Sequence, residues 1–274
     1  MSRASSHALK HPPVKLPSEP AGATPFAELE VFPELDVAIE RERRRGRGAQ
    51  SNASGRFEAE ARTAFDDGWQ SLEELPPFKT TVSIDTSRKV IARNDSPDIG
   101  FDRSINPYRG CEHGCVYCFA RPTHAYLGMS PGLDFESNLL AKPDAPALLE
   151  KELAAPGYEP KMIAIGTNTD AYQPIEREMK IMRGILEVLE RAGHPVGIVT
   201  KSALVTRDID ILARMAKRNL AKVALSVTTL DPKLARTMEP RASTPPKRLE
   251  AIRQLAEAGI PATVPFAPTA GVMI

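Results

Sequence analysis

All the cysteines of this chain lie in one short stretch, NPYRGCEHGCVYCFAR, and no other feature limits the fold as strongly. They are Cys111, Cys115 and Cys118, spaced C-x3-C-x2-C. Three thiols at this spacing cannot all converge from one face of a regular helix or from one straight strand. They can converge if the backbone wraps around a bound group, and Gly110 and Gly114 permit the positive φ angles that a wrap requires. The stretch therefore predicts a loop that encloses a metal or a cluster.

The residue types in this loop leave more than one metal open. Soft thiolate ligands select zinc, copper(I) or an iron–sulfur cluster. A 4Fe-4S cubane usually takes four cysteines, so three would leave one iron without a protein thiolate, and an open position generally marks a reactive site. A Cys3His zinc site with His113 or His124 is the alternative. A disulfide scaffold is disfavoured because three cysteines are an odd number and too few.

The cysteine motif, with Tyr117 directly before its last cysteine, resembles the signature of the radical S-adenosylmethionine (radical SAM) superfamily. The longer stretches SINPYRGCEHGCVYCFARPTHAYLG and GTNTDAYQPIE are similar to a bacterial radical SAM family described as spore-photoproduct-lyase-like. The resemblance extends from about Arg47 to about Pro268.

This resemblance implies an enzyme with a 4Fe-4S cluster and SAM as cofactors. In the superfamily the open iron chelates the amino and carboxylate groups of SAM, and the reduced cluster cleaves SAM to a 5′-deoxyadenosyl radical that abstracts a hydrogen atom. An electron donor of the flavodoxin or ferredoxin type is then an expected partner. The substrate stays open, with nucleic acid as one candidate class. Two alternatives are an inactive iron–sulfur-binding protein and a zinc-stabilised binding module.

Composition and charge exclude few functions here. The net charge of +1 implies no overall attraction to nucleic acid or to a membrane surface. No run of apolar residues is long enough to span a membrane, and the first residues lack the apolar segment of a signal peptide. We therefore expect no membrane partner and a reducing, cytoplasmic location.

The chain divides into three predicted segments. Residues 1–56 form a disordered or extended N-terminal arm because prolines break any periodic pattern there. The basic run ERERRRGRG within it is either a solvated charged segment or a contact for phosphates. Residues 57–100 are predicted as an ordered arm, anchored by Phe57, Phe65 and Trp69, followed by a hairpin of residues 80–85 and 89–93.

Residues 101–274 are predicted as the radical SAM core, an α/β fold. Short apolar strands at residues 104–108, 162–165, 196–199, 222–227 and 262–266 alternate with helical patterns at residues 145–154, 175–192, 208–218 and 245–258. Such alternation means a parallel sheet, open or closing into a barrel. Superfamily cores commonly use six βα units and five strands are counted here, so we expect a partial barrel that ends after its fifth strand.

Polar clusters follow directly after these strands, where the loops of a βα barrel converge. By position, the residues after the second strand match the motif that binds the SAM amino group; they are Gly166, Thr167, Asn168 and Asp170, together with Thr169. A plain turn with side-chain caps is the alternative for this segment. Tyr117 is expected near the adenine of SAM, or else as loop packing.

Further strand-end residues resemble the SAM-contacting pair of spore photoproduct lyase. Lys201 would hold the SAM carboxylate as a point charge, and Ser202 or Ser226 would reach the ribose or methionine. Arg241 is a second candidate for the carboxylate. A surface lysine that extends into solvent is the alternative for Lys201. The lyase uses an additional cysteine as hydrogen donor, and this sequence has no fourth cysteine, so thymine-dimer repair by that route is not expected.

Overall fold

The computed structural model of this protein describes residues 44–57 and 78–265. Residues 1–43 of the predicted arm, the predicted anchors Phe65 and Trp69, and the end of the predicted fifth strand lie outside these ranges.

Nine strands form two sheets in the described part of the chain. In chain order they are β1 (Thr81–Ile84), β2 (Ala92–Arg93), β3 (Arg103–Ile105), β4 (Tyr108–Arg109), β5 (Asn138–Ala141), β6 (Ile163–Ile165), β7 (Val196–Thr200), β8 (Ala221–Leu225) and β9 (Ala262–Thr263). The larger sheet has the order β2-β3-β6-β7-β8-β9. Its strands from β3 to β9 are all parallel, and only β2 runs antiparallel to its neighbour. The predicted alternation of five parallel strands is therefore observed.

Seven α-helices and two 3-10 helices connect the strands in the described ranges. They are α1 (Asp134–Ser137), α2 (Ala145–Leu153), α3 (Glu176–Met179), α4 (Ile181–Ala192), α5 (Ile209–Ala216), α6 (Pro232–Met238) and α7 (Pro245–Glu257), with 3-10 helices at Arg121–Leu127 and Ala203–Asp208. Within these residues no helix is both long and apolar enough to cross a lipid bilayer.

The core lies between the parallel strands and the helices that cover them. Buried Ile165 and Ile198 of neighbouring strands belong to one apolar cluster with Met182 and Leu189 of α4 and with Leu255 of α7. The strands β3 and β6 are buried along their whole length, as expected for a parallel sheet with helices packed against it. This packing fixes the carboxyl ends of the strands, from which the polar loops extend.

The smaller sheet was not predicted, and it replaces the predicted hairpin. Its order is β1-β5-β4, with β1 parallel and β4 antiparallel to β5. β2 instead pairs with β3 of the larger sheet, so the two predicted hairpin strands belong to different sheets. The prediction was wrong because the turn residues between the two strands carry no information about partners so distant in sequence.

Two helix predictions also need correction. The single helix predicted over residues 175–192 is broken at Lys180, whose φ of 52° is left-handed. The helix predicted from residue 208 is preceded by the 3-10 helix Ala203–Asp208, which Ser202 caps by accepting a hydrogen bond from the backbone N–H of Leu204. Thr206 lies inside that 3-10 helix, where its hydroxyl donates to the carbonyl of Ala203.

The R-G-R-G part of the basic run packs on the rest of the described fold, and its Arg47 is not solvated. Arg47 is buried and donates to the carbonyl oxygen of Glu136 at 2.6 Å. The carboxylate of Glu136 accepts from the backbone N–H groups of Gly48 and Ala49 at 2.9 and 2.7 Å. A Cβ on Gly48 would lie 1.8 Å from the carbonyl oxygen of Gly114, so the segment touches the cysteine loop directly.

The last described strand, β9, pairs with β8 and has no second partner among the described residues. The architecture in these ranges is a mixed α/β fold of consecutive βα units, which agrees with the predicted fold class.

Candidate functional site

The cysteine loop begins where β4 leaves the smaller sheet. Gly110 and Gly114 have φ angles of 79° and 64°, as the wrapped backbone required. At Gly110 a Cβ would lie 2.8 Å from the carbonyl oxygen of Phe135, so a side chain has no room there. The backbone N–H of Cys111 donates to that same carbonyl at 2.8 Å, which fixes the start of the loop.

All three thiols are free. Cys111 and Cys115 are buried and Cys118 is half-buried. Burial raises the pKa of Cys111 well above its ordinary value and raises the pKa of Cys115 to about 12. Three unpaired thiols on one loop are a suitable donor set for a soft metal, since a bound cation supplies the positive charge that a buried thiolate needs.

The geometry of the loop bears on which metal fits. Among the described residues, no group of three or more His, Cys, Asp or Glu side chains is arranged around a single metal-ion position. A 4Fe-4S cubane does not require ligands that converge on a single metal position, because each cysteine binds a different iron. Both candidate zinc histidines have other partners: Nδ1 of His113 lies 3.3 Å from Asp170, and Nε2 of His124 lies 2.9 Å from the carbonyl oxygen of Asn138.

Glu112 attaches the cysteine loop to three other segments. Its carboxylate accepts from Nη2 of Arg241 at 2.8 Å, from Oγ1 of Thr80 at 2.7 Å and from the backbone N–H of Ile175 at 2.8 Å. Gln173 holds the loop from the same side, because its Oε1 accepts from the backbone N–H of Glu112 at 2.7 Å. The side chain of Glu112 is buried, so these bonds are shielded from water.

Asp170 connects the cysteine loop to the ends of β6 and β7. Its carboxylate accepts from Oγ1 of Thr200 and the backbone N–H of Lys201, both at 2.7 Å, and from the backbone N–H of Tyr172 at 2.9 Å. Burial acts to raise the pKa of Asp170, but the charge and hydrogen bond of His113 and the bonds from β7 lower that pKa by more, so the carboxylate stays ionised. Asp170 therefore already has a full set of donors within the protein.

The other residues after β6 form a tight turn. Gly166 has a φ of 81°, and a Cβ there would lie 2.2 Å from the carbonyl oxygen of Val199. The backbone N–H of Asn168 donates to Oδ1 of Asn106 at 3.0 Å, and the hydroxyl of buried Thr169 donates to the carbonyl of Tyr108 at 2.7 Å. The side chains of Thr167 and Asn168 are half-buried at the carboxyl end of the strand.

Lys201 and Tyr117 meet beside the thiols. The ammonium of Lys201 lies 5.8 Å from the centre of the Tyr117 ring. The charge of Lys201 opposes the rise in the pKa of Cys115 that burial causes, which puts the lysine within electrostatic reach of that thiol. Ser202, by contrast, is occupied as the helix cap, and the half-buried Ser226 lies on the next strand end, where its N–H donates to Thr200 at 2.9 Å.

A buried ion pair that the sequence analysis missed holds the far side of the loop. Glu239 accepts from the hydroxyl of Tyr117, from Oγ1 of Thr228 at 2.6 Å and from Nη2 of Arg248. Arg248 and Glu239 are both buried. The signal was present: Arg248 lies on the same face of α7 as the apolar Ala251 and Leu255, where a charged residue needs a partner.

The flanking arginines of the loop have different roles. Arg121 donates from Nη2 to the carbonyl of Cys115 at 2.9 Å and to Glu136 at 2.5 Å, so it connects the loop to α1. Arg109 is exposed and donates to Asp85 at 2.6 Å, away from the thiols. Arg241 joins the site through Glu112 and through its N–H, which donates to the carbonyl of His113 at 3.2 Å.

Comparison with known proteins decides the family. A family model described as "Radical SAM superfamily" matches residues 105–269, which is more than half of the chain. The chain belongs to the radical SAM superfamily. This confirms the resemblance that the cysteine motif suggested.

Relatives of this radical SAM chain occur in bacteria and archaea. An uncharacterized protein of Mycobacterium tuberculosis is 41% identical over 168 residues, which cover 61% of this chain and 49% of the relative. An uncharacterized protein of Methanocaldococcus jannaschii is 30% identical over 156 residues, which cover 57% of this chain and 56% of the relative. The chain thus spans about half the length of the curated relatives it matches.

Solved structures of spore photoproduct lyase are also similar to this radical SAM chain. One, complexed with dinucleoside spore photoproduct, has a TM-score of 0.49 and 20% identity, and the match covers 68% of this chain and 51% of the lyase. Another, with bound AdoMet and dinucleoside spore photoproduct, has a TM-score of 0.45 and 19% identity over 66% of this chain and 48% of the lyase.

Proposed function

We propose that this chain holds the cluster and SAM of a radical SAM enzyme. Cys111, Cys115 and Cys118 would each bind one iron of a 4Fe-4S cluster, and the fourth iron would be left for SAM. The observation that carries the proposal is the set of three free thiols on one wrapped loop at the carboxyl ends of a parallel sheet, in a member of this superfamily. When bound and reduced, such a cluster supplies the electron that cleaves SAM to a 5′-deoxyadenosyl radical.

The residues around the thiols would bind and orient SAM. Lys201 is proposed to hold the carboxylate, because its ammonium lies beside Tyr117 and within electrostatic reach of Cys115. Tyr117 is proposed to lie against the adenine, its hydroxyl held by Glu239. Gly166, Thr167 and Asn168 would approach the amino group.

Three further candidates from the sequence have contacts that limit what they can donate or accept. We propose that Asp170 positions His113 and the backbone of Lys201, because its carboxylate has protein donors on both oxygens. The hydroxyl oxygen of Ser202 already accepts from the backbone N–H of Leu204, so Ser202 would contact SAM by donating its O–H. Arg241 already donates to Glu112, so it would contact SAM with its other N–H groups. Ser226 stays proposed at the ribose or methionine.

The proposal includes an external electron donor of the flavodoxin or ferredoxin type, since the reaction starts with one-electron reduction. It leaves the substrate open, with nucleic acid as one class. A route that needs a further cysteine as hydrogen donor is not proposed, because the three cysteines of this sequence are all in the loop.

The decisive test is anaerobic reconstitution followed by metal and sulfide analysis. We expect about four irons and four sulfides per chain, as for a cubane. Replacing Cys111, Cys115 or Cys118 by Ala is expected to abolish the broad visible absorption of the cluster, with Ser202→Ala as a control that leaves the thiols intact. Stoichiometric zinc without iron uptake contradicts the proposal and favours a zinc-stabilised binding module.

Reduction of the reconstituted protein with SAM separates an enzyme from an inactive cluster protein. We expect 5′-deoxyadenosine and methionine to form after addition of dithionite. A full cluster that binds SAM and yields neither product identifies an iron–sulfur-binding protein without radical activity.

Lys201→Ala tests the SAM contact by itself. We expect SAM binding to weaken by roughly 1–3 kcal/mol, the range for losing a charge-assisted hydrogen bond, with an unchanged cluster spectrum. Lys151→Ala, on the exposed side of α2, is the matched control and is expected to bind SAM as the natural protein does. Equal affinity in both variants would show that Lys201 does not contact SAM.

A further inference from the structure

A basic cavity lies beside the cysteine loop, separate from the thiols. Its volume is about 490 Å³, within the usual range for small-molecule sites. The cavity is lined by the segments after β6, β7 and β8, together with His113 of the cysteine loop. Its cationic lining residues are Arg177, Arg207, Arg241 and Lys247. No aspartate or glutamate is among the described residues that line it.

Two of these cations are held rigidly from behind the cavity wall. Nη2 of Arg207 lies 2.7 Å from Glu176 and 2.8 Å from Asp208, and both of those carboxylates are buried. Arg241 is held by Glu112 in the same way, at 2.8 Å. Their carboxylate partners lie outside the lining. Arg207 makes four hydrogen bonds to Glu176 and Asp208, so it keeps a single N–H for a ligand. Arg241 donates one side-chain hydrogen bond, to Glu112, and keeps its other N–H donors for the cavity.

The other two cations are free to reach a ligand. Arg177 on α3 and Lys247 on α7 are both exposed, and neither forms an ion pair with a described residue. Lys247 is also in the first turn of α7, whose N-cap, Thr244, makes no side-chain capping hydrogen bond. The positive end of the helix dipole faces this edge of the cavity, but Pro245 and Pro246 carry no N–H, so Lys247 is the first residue of α7 that offers a backbone donor.

We propose that this cavity binds the phosphate group of a nucleotide unit, either a free nucleotide or one within a single strand. Arg177 and Lys247 have no ion-pair partner among the described residues and no carboxylate lines the cavity, so the cavity favours an anion. The planar donors of Arg177 and Arg241 match phosphate oxygens in pairs. The volume exceeds that of phosphate alone and has room for the attached sugar. Phosphate binding in this cavity does not depend on the function proposed above. A bound phosphate would also position a substrate beside the cysteine loop, and this second part rests on that function.

Direct binding to the full, anaerobically reconstituted chain tests the site. The probes for calorimetry are a nucleoside 5′-monophosphate, the matching nucleoside, a short single-stranded oligonucleotide and SAM. We expect the monophosphate to bind at least about tenfold more tightly than the nucleoside, because only the phosphate makes charge-assisted hydrogen bonds. Tighter binding of the oligonucleotide identifies a strand as the source of the phosphate, and preference for the mononucleotide identifies a free nucleotide.

A pair of double variants shows whether the cavity is the binding site. Arg177→Gln with Lys247→Gln removes two exposed cavity charges and is expected to weaken monophosphate binding about tenfold or more. Lys233→Gln with Arg253→Gln removes the same charge from exposed positions outside the lining and is expected to leave binding unchanged. Equal losses in both pairs, or equal affinity for nucleotide and nucleoside, overturn the proposal.

Ser202 and Arg241 line this cavity and are also proposed to reach SAM, so the two sites would share an edge. Competition with SAM tests whether both ligands fit at once. We expect SAM and the monophosphate to bind together, with the affinity for SAM unchanged in the cavity variant. Displacement of the phosphate by SAM would make the cavity part of the SAM site and overturn the proposal. Phosphate binding in a protein that fails to cleave SAM contradicts the radical SAM function and leaves the phosphate site standing.

Discussion

Gly166 is a residue in the site at which added side-chain volume is costly. Its φ of 81° is left-handed, and a Cβ would lie 2.2 Å from the carbonyl oxygen of Val199 on the neighbouring strand. Gly157 has a similar φ of 76°, and its Cβ would have nothing within 4 Å. The two glycines therefore separate the cost of backbone strain from the cost of the close approach.

We expect Gly166→Ala to lower the free energy of unfolding by about 2–4 kcal/mol, the sum of backbone strain and a steric clash with the backbone. Gly157→Ala is the control and is expected to cost about 1 kcal/mol from backbone strain alone. Urea denaturation measures both. Equal losses would mean that β7 moves aside without cost.

The ion pair of Arg248 and Glu239 is a second feature at the scale of single residues. Arg248 is buried, and besides Glu239 it donates to the carbonyls of Ser243 at 2.6 Å and Ser226 at 2.9 Å. Because Glu239 also accepts from Tyr117, the pair connects α7 to the cysteine loop.

Arg248→Met is expected to lower the free energy of unfolding by about 3–5 kcal/mol, because it leaves a buried carboxylate without its charge partner. Arg253→Met, on the exposed face of the same helix, removes ion pairs with Glu250 and Glu257 and is expected to change stability little. Chemical denaturation of both variants is the measurement. A small loss in the first would show that Glu239 is protonated or rehydrated in the variant.

At the scale of elements, the break between α3 and α4 shows where periodicity misleads. The apolar pattern runs through Lys180 without interruption, and lysine is an ordinary helix former. The break is made by Glu176, whose buried carboxylate accepts from the backbone N–H groups of Ile181 and Met182 at 3.0 and 3.1 Å. A side chain from one helix thus caps the next, and no local pattern predicts it.

Lys180→Gly is expected to raise the free energy of unfolding by roughly 0.5 kcal/mol, because glycine adopts the left-handed conformation without a Cβ penalty. Lys151→Gly, inside α2, is the control and is expected to lower it by about 1 kcal/mol. Thermal or urea unfolding compares the two. Destabilisation by Lys180→Gly would contradict the explanation from backbone strain.

The other elements differ in whether they could be predicted, depending on whether local residues or distant partners determine them. The parallel strands could be predicted because they are short apolar runs, and α4, α5 and α7 could be predicted because one face of each carries apolar residues at the helical period. The pairing of β1 with β5 could not, since the two strands are distant in sequence. α6 was missed although Asp231 and Pro232 form a normal helix start.

In the site, the wrapped cysteine loop could be predicted and its internal partners could not. Three cysteines with glycines between them predict a loop that encloses a bound group, and the structure shows three free thiols on such a loop. Asp170 was expected to face a ligand but lies among protein donors, because the sequence does not reveal that His113 and the end of β7 meet it. The sequence also does not reveal that Gly166 lies against a strand carbonyl, that of Val199.

For the whole molecule, buried histidines make stability depend on pH. Nε2 of His194 lies 2.8 Å from the hydroxyl of Tyr158, and burial lowers the pKa of His194 below its ordinary value. Burial lowers the pKa of His124 in the same way. In the unfolded chain both rings take up a proton near pH 6.5, roughly their ordinary pKa. Protonation therefore favours the unfolded state.

We expect the free energy of unfolding to be fully maintained above roughly pH 7 and to fall as the pH drops below roughly 6.5. His194→Gln removes one of these protonation sites, so its stability should fall less between about pH 7 and about pH 5. Urea denaturation across this range gives both slopes. Identical slopes in the two proteins would show that His194 does not contribute.

The bonds that hold the cysteine loop have a consequence for how the protein is made. Arg241 and Glu112 are 129 residues apart, and Tyr117 and Glu239 are 122 apart. A chain that leaves the ribosome N-terminal end first cannot form either contact until nearly all of its parallel strands have been translated. Throughout that time the three thiols are unshielded. For the cluster proposed above, delivery of iron and sulfide would follow synthesis of this region, and slow delivery would leave the nascent thiols open to oxidation.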